Sequence, residues 1–323
     1  MRAALLPTPG DPFLIAYWLR HFRTWRTEVD ELRVLVNGQR IPEVWEYIRA
    51  KAKEAGALLH EMPDRLDHGK AIGYLLEQTQ ADQILLCEDD AFLRTPGKVD
   101  AAFRRIESGE VDIVACPRSS VSDEVRDAAV ARYGSPPPVV SHESGHSFWP
   151  AFFFARRSDL MATDRHFSAY AWPKGTEVPE LGITTQNDAA GDTFVHTTYQ
   201  LREMGLRIRW ESKFRADREA MDWWLQYAPW FHVGSLSAGY GYTFWHEASG
   251  YPDSLEPIAI EARKTRSDWE KRMSWWYRVT ETDALPAHRA RYRADLERFI
   301  DIAQLDRREI SRWTERFQPW ITW

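Results

Sequence analysis

The apolar run Gln83-Ile84-Leu85-Leu86-Cys87 leads straight into Glu88-Asp89-Asp90 and then Ala91-Phe92. Adjacent carboxylates raise one another's pKa and resist joint ionisation, so three of them at the mouth of a buried strand favour a bound cation. Magnesium and manganese take oxygen ligands of this kind and accept phosphate oxygens into the same shell. The same run also fits a solvated turn in which Asp90 caps the next segment and the other acids face water.

The elements that must position these acids follow from periodicity. Short apolar runs alternate with amphipathic stretches through the first half of the chain, the pattern of a sheet wrapped by crossover helices. Strands are predicted at residues 2–6, 32–36, 57–59, 84–87, 111–116, 149–155 and 206–210. Helices are predicted at 12–25, 42–56, 70–80, 123–132 and 192–204, the last stopped by Gly205. The segment 134–146, rich in Pro, Ser, Gly and His, reads as a loop. In an open α/β sheet ligands bind beyond the carboxyl ends of the strands, and Glu88-Asp89-Asp90 falls there.

Composition narrows the function classes. The chain has 323 residues and a formal charge of -6, so no global electrostatic argument favours nucleic acid or an anionic membrane. Its two cysteines, Cys87 and Cys116, sit in apolar runs, which predicts buried thiols and a reducing cytoplasm rather than a disulfide framework or a zinc site. No run reaches transmembrane length, and Ala3-Ala4-Leu5-Leu6 is cut short by Pro7, Pro9 and Gly10. The 16 Trp are the outlier; they fit a large core and equally a stacking surface for sugars or bases. A catalytic domain over 1–250 and a helical extension over 251–323 are expected, because the pattern changes near Ser254 to helices bearing Arg, Glu and Trp.

Four segments together resemble a GT-A nucleotide-sugar glycosyltransferase, in the style of family 2. The first is Arg65-Leu66-Asp67-His68-Gly69-Lys70-Ala71-Ile72, similar to the loop and helix that precede the family's metal motif. Glu88-Asp89-Asp90 stands in the place of the Asp-x-Asp motif. Asn187-Asp188-Ala189-Ala190-Gly191-Asp192-Thr193-Phe194 resembles the segment that carries the acidic pair with the catalytic base. Phe231-His232-Val233-Gly234-Ser235 resembles the late histidine segment that completes the metal site. The resemblance covers roughly residues 1–240. It implies a mixed, mainly parallel sheet flanked by helices, a Mn2+ or Mg2+ ion, and a nucleoside-diphosphate sugar as donor, a UDP-sugar ahead of a GDP-sugar.

Roles are carried over residue by residue. Asp90, with Glu88 and His232, is implied as metal ligand; Glu88 or Asp89 would hold the ribose or a metal-bound water. His68, Gly69 and Lys70 would approach the nucleotide, as would Asp11 and Asn37 beyond the first two strands. Asn37 departs from the pattern, since an acid is usual there. Trp149 would present an aromatic wall to donor sugar and acceptor, and Arg118 a cation to phosphate. Asp192 fits a general base at a helix N-terminus, or else a helix cap; Asp188 is the alternative base, because Gly191 stands where an acid is common. A carboxylate base behind the sugar implies inversion.

Two other classes compete. A sugar-1-phosphate nucleotidyltransferase would normally show a Gly-rich phosphate loop after the first strand, and Pro7-Thr8-Pro9-Gly10-Asp11 is a poor version of one. A non-catalytic binder of carbohydrate or nucleic acid could use the tryptophans alone. For a transferase, Trp223-Trp224, Trp230 and Tyr240-Gly241-Tyr242 offer stacking either to an acceptor glycan or to a hydroxylated base in viral DNA.

Overall fold

The computed structural model describes residues 1–39, 42–64, 66–93, 97–118, 121–134, 147–211, 213–215 and 230–232, together with 293, 294, 297, 300, 306–308 and 311. The first strand, β1 (Arg2–Thr8), precedes α1 (Pro12–Phe22), β2 (Glu31–Asn37), α2 (Pro42–Ala55), β3 (Leu58–Met62), α3 (His68–Gln78) and β4 (Gln83–Cys87). Then come β5 (Ala91–Leu93), α4 (Lys98–Glu107), β6 (Ile113–Arg118), α5 (Asp123–Tyr133), β7 (Ser147–Arg156) and α6 (Arg157–Met161). Short strands β8 (Tyr170–Trp172), β9 (Glu177–Val178), β10 (Ile183–Thr184) and β11 (Ala189–Gly191) lead to α7 (Val195–Glu203). Finally β12 (Ile208–Trp210), β13 (Lys213–Arg215) and β14 (Trp230–His232) are described.

Seven strands form the main sheet in the order β12-β6-β7-β4-β1-β2-β3. All pairings are parallel except those of β7, which runs against both β4 and β6. The expected mixed, mainly parallel α/β sheet is what the chain builds. Its strands are near-continuous apolar runs because helices cover both faces. Ala4, Leu6, Val34, Val36, Leu85, Cys87, Phe152 and Phe154 face α1, α2 and α4; the alternate residues Ala3, Leu5, Leu35, Ile84, Leu86 and Phe153 face α3 and α7. The register of β6 slips against β7 between Ala115 and Pro117, where proline has no N–H to give the ladder.

Most described tryptophans are core. Trp18, Trp25, Trp45, Trp149 and Trp172 are all buried, and Trp18 stacks on Phe22 at 5.7 Å while Trp25 meets both rings edge-on. Both cysteines are free and buried, and burial pushes the Cys87 thiol well above its ordinary pKa, so it is not a nucleophile. No helix among the described residues is long and apolar enough to cross a membrane. The predicted loop 135–146, Trp223-Trp224, Tyr240-Gly241-Tyr242 and the boundary near 251 lie outside the described residues. Of the predicted helical extension, residues 293, 294, 297, 300, 306–308 and 311 are described, and Ile300 is buried in the core on the α1 and α2 face of the sheet.

Asp112 ties the edge of the sheet together. It accepts hydrogen bonds from the Arg207 backbone N–H at 3.0 Å, from the Arg207 guanidinium and from Arg156 at 2.9 Å. The Arg207 hydrogen bonds outweigh the cost of burial and hold the carboxyl well below the ordinary range. A depressed carboxylate pKa adds stability that is present above the unfolded value and lost as pH falls through the folded one. Asp112→Asn is therefore expected to cost about 1 kcal/mol at neutral pH, the arginines being substantially solvated. The difference should shrink below about pH 4, and parallel urea melts of both proteins across pH check it.

Candidate functional site

The carboxyl ends of β1, β2 and β4 lie side by side and are tied together by polar bonds. Asp89, buried just after β4, accepts a short hydrogen bond from the Thr8 hydroxyl at the end of β1. Thr8 Oγ1 in turn accepts from the Gly10 N–H at 3.0 Å, and Gln39 beyond β2 donates its amide to the Gly10 carbonyl at 3.0 Å. Gly10 has a φ of 84°, and a Cβ there would lie 2.8 Å from Val36 Cγ1, so the turn needs glycine. With its N–H bonded to Thr8, Gly10 is not arranged as the cradle of a phosphate loop. Thr8 sits in the poor phosphate-loop segment; its bond to Asp89 emerges only when β1 and β4 pair.

Glu88 and Asp90 flank this anchor. The Glu88 carbonyl accepts from the Ala91 N–H in a tight turn, and its carboxylate stands 3.9 Å from His68 Nε2. Asp90 is 2% exposed, a costly place for a charge unless cations or donors face it. The chain then enters β5, which pairs antiparallel with β14: Leu93 opposes Trp230, Phe92 opposes Phe231, and Ala91 opposes His232. Position 232 is thus brought by register to the residue that follows Asp90. Trp18 Nε1 donates to the Ala91 carbonyl at 3.1 Å, and His21 Nε2 bonds the Leu93 carbonyl, fixing β5 on α1. Burial lowers the His21 pKa, which suits a neutral ring donating to that carbonyl.

The first predicted segment splits into parts with different duties. Asp67 caps α3, accepting from the Lys70 N–H at 3.1 Å, so the helix begins at His68, two residues before the predicted start. His68 reaches Glu88. Gly69 was expected to allow a close approach by nucleotide, but the close approach is made by protein: a Cβ there would sit 2.0 Å from the Ser168 backbone nitrogen. Lys70 is largely exposed, with Nζ 3.6 Å from Asp67. Asn37 spends both ends of its amide on the backbone of Leu66, at 2.9 and 2.8 Å, so it holds this loop to β2.

Asp11 is buried and caps α1, accepting from the Leu14 N–H at 3.1 Å, with Pro12 in the first helical position. Trp149 is in the core with its ring edge-on to Phe152, so it forms no open wall. Asp188, between β10 and β11, is exposed and accepts from the Lys174 N–H at 2.8 Å, pinning the turn that follows β8. Asp192 is half-buried and is not the helix cap: α7 starts at Val195 after Phe194, and Asp192 Oδ1 accepts from the adjacent Thr193 N–H at 2.7 Å. A bridge between Gly191 and Val121 places Asp192 just past the carboxyl end of β6, on the same edge of the sheet as Glu88 and Asp90. The Arg118 and His232 side chains lie outside the described residues.

Among the described residues no three potential ligands cluster tightly enough to cage a metal alone. Asp90 and Glu88 nevertheless fit a hard divalent cation of the Mg2+ or Mn2+ kind, which is commonly held by one or two carboxylates and completed by substrate phosphates.

No family model matches the chain, and no curated protein matches it. Solved structures align loosely. A mannosyltransferase from Pyrobaculum calidifontis, in complex with GDP-mannose and Mn2+, shares 16% identity over 91% of this chain and 74% of its own, with a TM-score of 0.44. TarS of S. aureus shares 13% identity over 81% of this chain and 42% of its own, with a TM-score of 0.43. A glucosyl-3-phosphoglycerate synthase from Mycobacterium tuberculosis, in complex with Mn2+ and UDP-glucose, shares 18% identity over 50% of this chain and 58% of its own, with a TM-score of 0.38. The chain thus spans less than two thirds of the latter two. Likeness at this level assigns neither family nor activity.

Proposed function

We propose that this chain is a metal-dependent glycosyltransferase of GT-A architecture, moving a sugar from a nucleoside-diphosphate donor to an acceptor hydroxyl with inversion. The observation that carries the reading is convergence at one sheet edge: β4 delivers Glu88 and Asp90, β14 brings position 232 beside them, and β11 delivers Asp192. Motifs distant in the sequence thereby lie beyond the carboxyl ends of β4 and β6, which supports reading them as parts of one site.

Asp90, with Glu88 and His232, would hold a divalent cation, which when bound supplies positive charge to the departing diphosphate. Asp89 cannot serve there freely, because it anchors the turn to Thr8. Its rigid neighbourhood pre-organises Asp90 instead. His68, at the start of α3 with Nε2 3.9 Å from the Glu88 carboxylate, faces the same corner and would steady the nucleotide. Asp192, half-buried and independent of the helix cap, is the carboxylate we assign to deprotonate the acceptor. The exposed Asp188 has a structural duty and is the weaker choice.

The acceptor is a glycan hydroxyl in this reading. A hydroxylated DNA base is the other acceptor to screen, by mass shift. Calorimetry with UDP and GDP, with and without Mn2+, tests the donor half; metal-dependent binding and slow metal-dependent hydrolysis of a UDP- or GDP-sugar are expected. Absence of any nucleotide binding would overturn the proposal and favour a non-catalytic binder.

A further inference from the structure

The candidate base just before α7 and the His68 end of the donor corner on α3 are far apart in sequence, yet one short segment touches both helices. On the α7 side, the Phe167 carbonyl accepts from the Phe194 N–H at 2.8 Å, the His166 carbonyl accepts from Thr197 Oγ1 at 3.2 Å, and the Phe167 and Phe194 rings stack at 5.6 Å. On the α3 side, Ser168 Oγ donates to Asp67, the cap of the helix that begins with His68. Gly69 closes against the backbone of Phe167 and Ser168 so tightly that no side chain fits between. Residues 164–168 therefore form a brace between the two halves of the site.

What keeps the brace on α7 is a side-chain bond between a buried histidine and an exposed carboxylate. His196, in the first turn of α7, stands with Nε2 2.8 Å from Asp164 Oδ2, and its ring stacks on Tyr170 at 4.4 Å and 17°. Its Nδ1 is buried without a hydrogen-bond partner, so Nε2 alone ties the ring to the brace. Gln200 adds a second strap, its Oε1 accepting from the Asp164 N–H at 3.2 Å. Asp164 also accepts from the His166 N–H at 2.8 Å. Burial alone would raise the Asp164 carboxyl, but the hydrogen bonds from the His166 N–H and the His196 ring outweigh it and hold the pKa below the ordinary carboxylate value.

Strain marks the same unit. Among the described residues two non-glycine residues adopt left-handed backbone, Arg165 at φ 62° and Phe194 at φ 75°. One follows Asp164 in the brace; the other separates Asp192 from His196. Such conformations persist only where the surroundings over-determine them, and they gather at functional sites. Phe194 in this conformation turns the chain from Asp192 into α7, so its φ sets where the Asp192 carboxylate stands.

We propose that Asp164 and His196 are positioning residues, whose bond holds the strained turn at Phe194 and so fixes Asp192 relative to the His68 and Glu88 corner. The inference rests on the glycosyltransferase reading for Asp192 but makes a structural claim that stands apart from it. His196→Phe keeps the ring stack on Tyr170 and removes the bond; Asp164→Asn keeps the shape and removes the charge. Each is expected to lower turnover of donor sugar by about tenfold or more while KM for the donor stays within about twofold, since misplacing a reacting group costs rate rather than binding. The double variant should be no worse than either single one, because the two act as a unit.

Amide hydrogen exchange supplies the readout independent of activity. In either variant, exchange should accelerate both at 192–198 and at 66–70. Acceleration confined to 164–168, or an unchanged kcat in a folded variant, would overturn the proposal. If the wild-type protein shows no metal-dependent nucleotide binding, the glycosyltransferase reading falls, and the exchange pattern alone then decides whether this bond couples the two elements.

Discussion

Asp90→Ala is expected to weaken Mn2+-dependent binding of a nucleoside diphosphate and to slow donor-sugar hydrolysis, each on the order of 100-fold or more. The carboxylate is almost fully buried at the end of β4, beside an anchored Asp89 and one residue from the position that β14 places opposite Ala91. Asp90→Asn keeps the shape and hydrogen-bonding capacity and should fail in the same way, which separates loss of charge from loss of packing. Thermal melts give the decisive comparison. Ligand at 100 times its Kd stabilises a protein by about 2.7 kcal/mol, and at a 100-fold weaker Kd by about 0.4 kcal/mol, so Mn2+ with UDP should raise the wild-type Tm clearly and both variants far less. Variants that respond to metal and nucleotide as the wild type does would remove Asp90 from the site.

Gly69→Ala should be the most destabilising single methyl in this region. Its Cβ would lie 2.0 Å from Ser168 N and 2.3 Å from both Phe167 C and Ser168 Cα, all backbone atoms that cannot rotate away. Either α3 or the 164–168 segment must shift, and overpacking against fixed atoms costs about 3 kcal/mol or more. For a chain of this size that corresponds to a fall in Tm of about 5 °C or more. Gly73→Ala, one turn further along α3, is the matched control. Its Cβ would meet only the Phe167 ring, at 3.6 Å, which is ordinary contact. Alanine in a helix interior gains about 0.5–1 kcal/mol over glycine, so this variant should melt slightly higher. Equal Tm values for the two variants would refute the close packing of α3 on the brace.

Physical range decides what was legible in the residues. β1, β2 and β4 fill long apolar runs, and their predicted limits lie within two residues of the observed ones at either end. The acids after β4 were legible because a buried strand ending in charge is a local contrast. β5 was not, since three residues cannot display a period. α4 is a helix the sequence reading passes over, although Val99, Ala102, Phe103 and Ile106 recur at helical spacing and are buried. Asp192 looked like a cap because Asp before Thr and Phe usually is one; the left-handed Phe194 took that position instead. Gly69 was read as a point of close approach for a nucleotide, whereas the backbone that closes on it, at Ser168, is a long-range contact with no local signature. The bonds from Asn37 to Leu66, from Thr8 to Asp89 and from Asp164 to His196 are of the same kind.

The pairing of β5 with β14 also bears on the order of assembly. The whole of the chain from α4 to β13 separates the two strands, so their contact carries a high loop-closure cost and should form after the main sheet. Its three-residue ladder is short beside the seven-stranded sheet, so this pairing is expected to open at lower free energy than the main ladder. The acids on β4 would then stand ready in a folded sheet before the last wall of the site arrives. A bound metal and nucleotide, by favouring the closed corner, would slow amide exchange at Phe231 and His232 far more than in the buried ladder of β1 with β4.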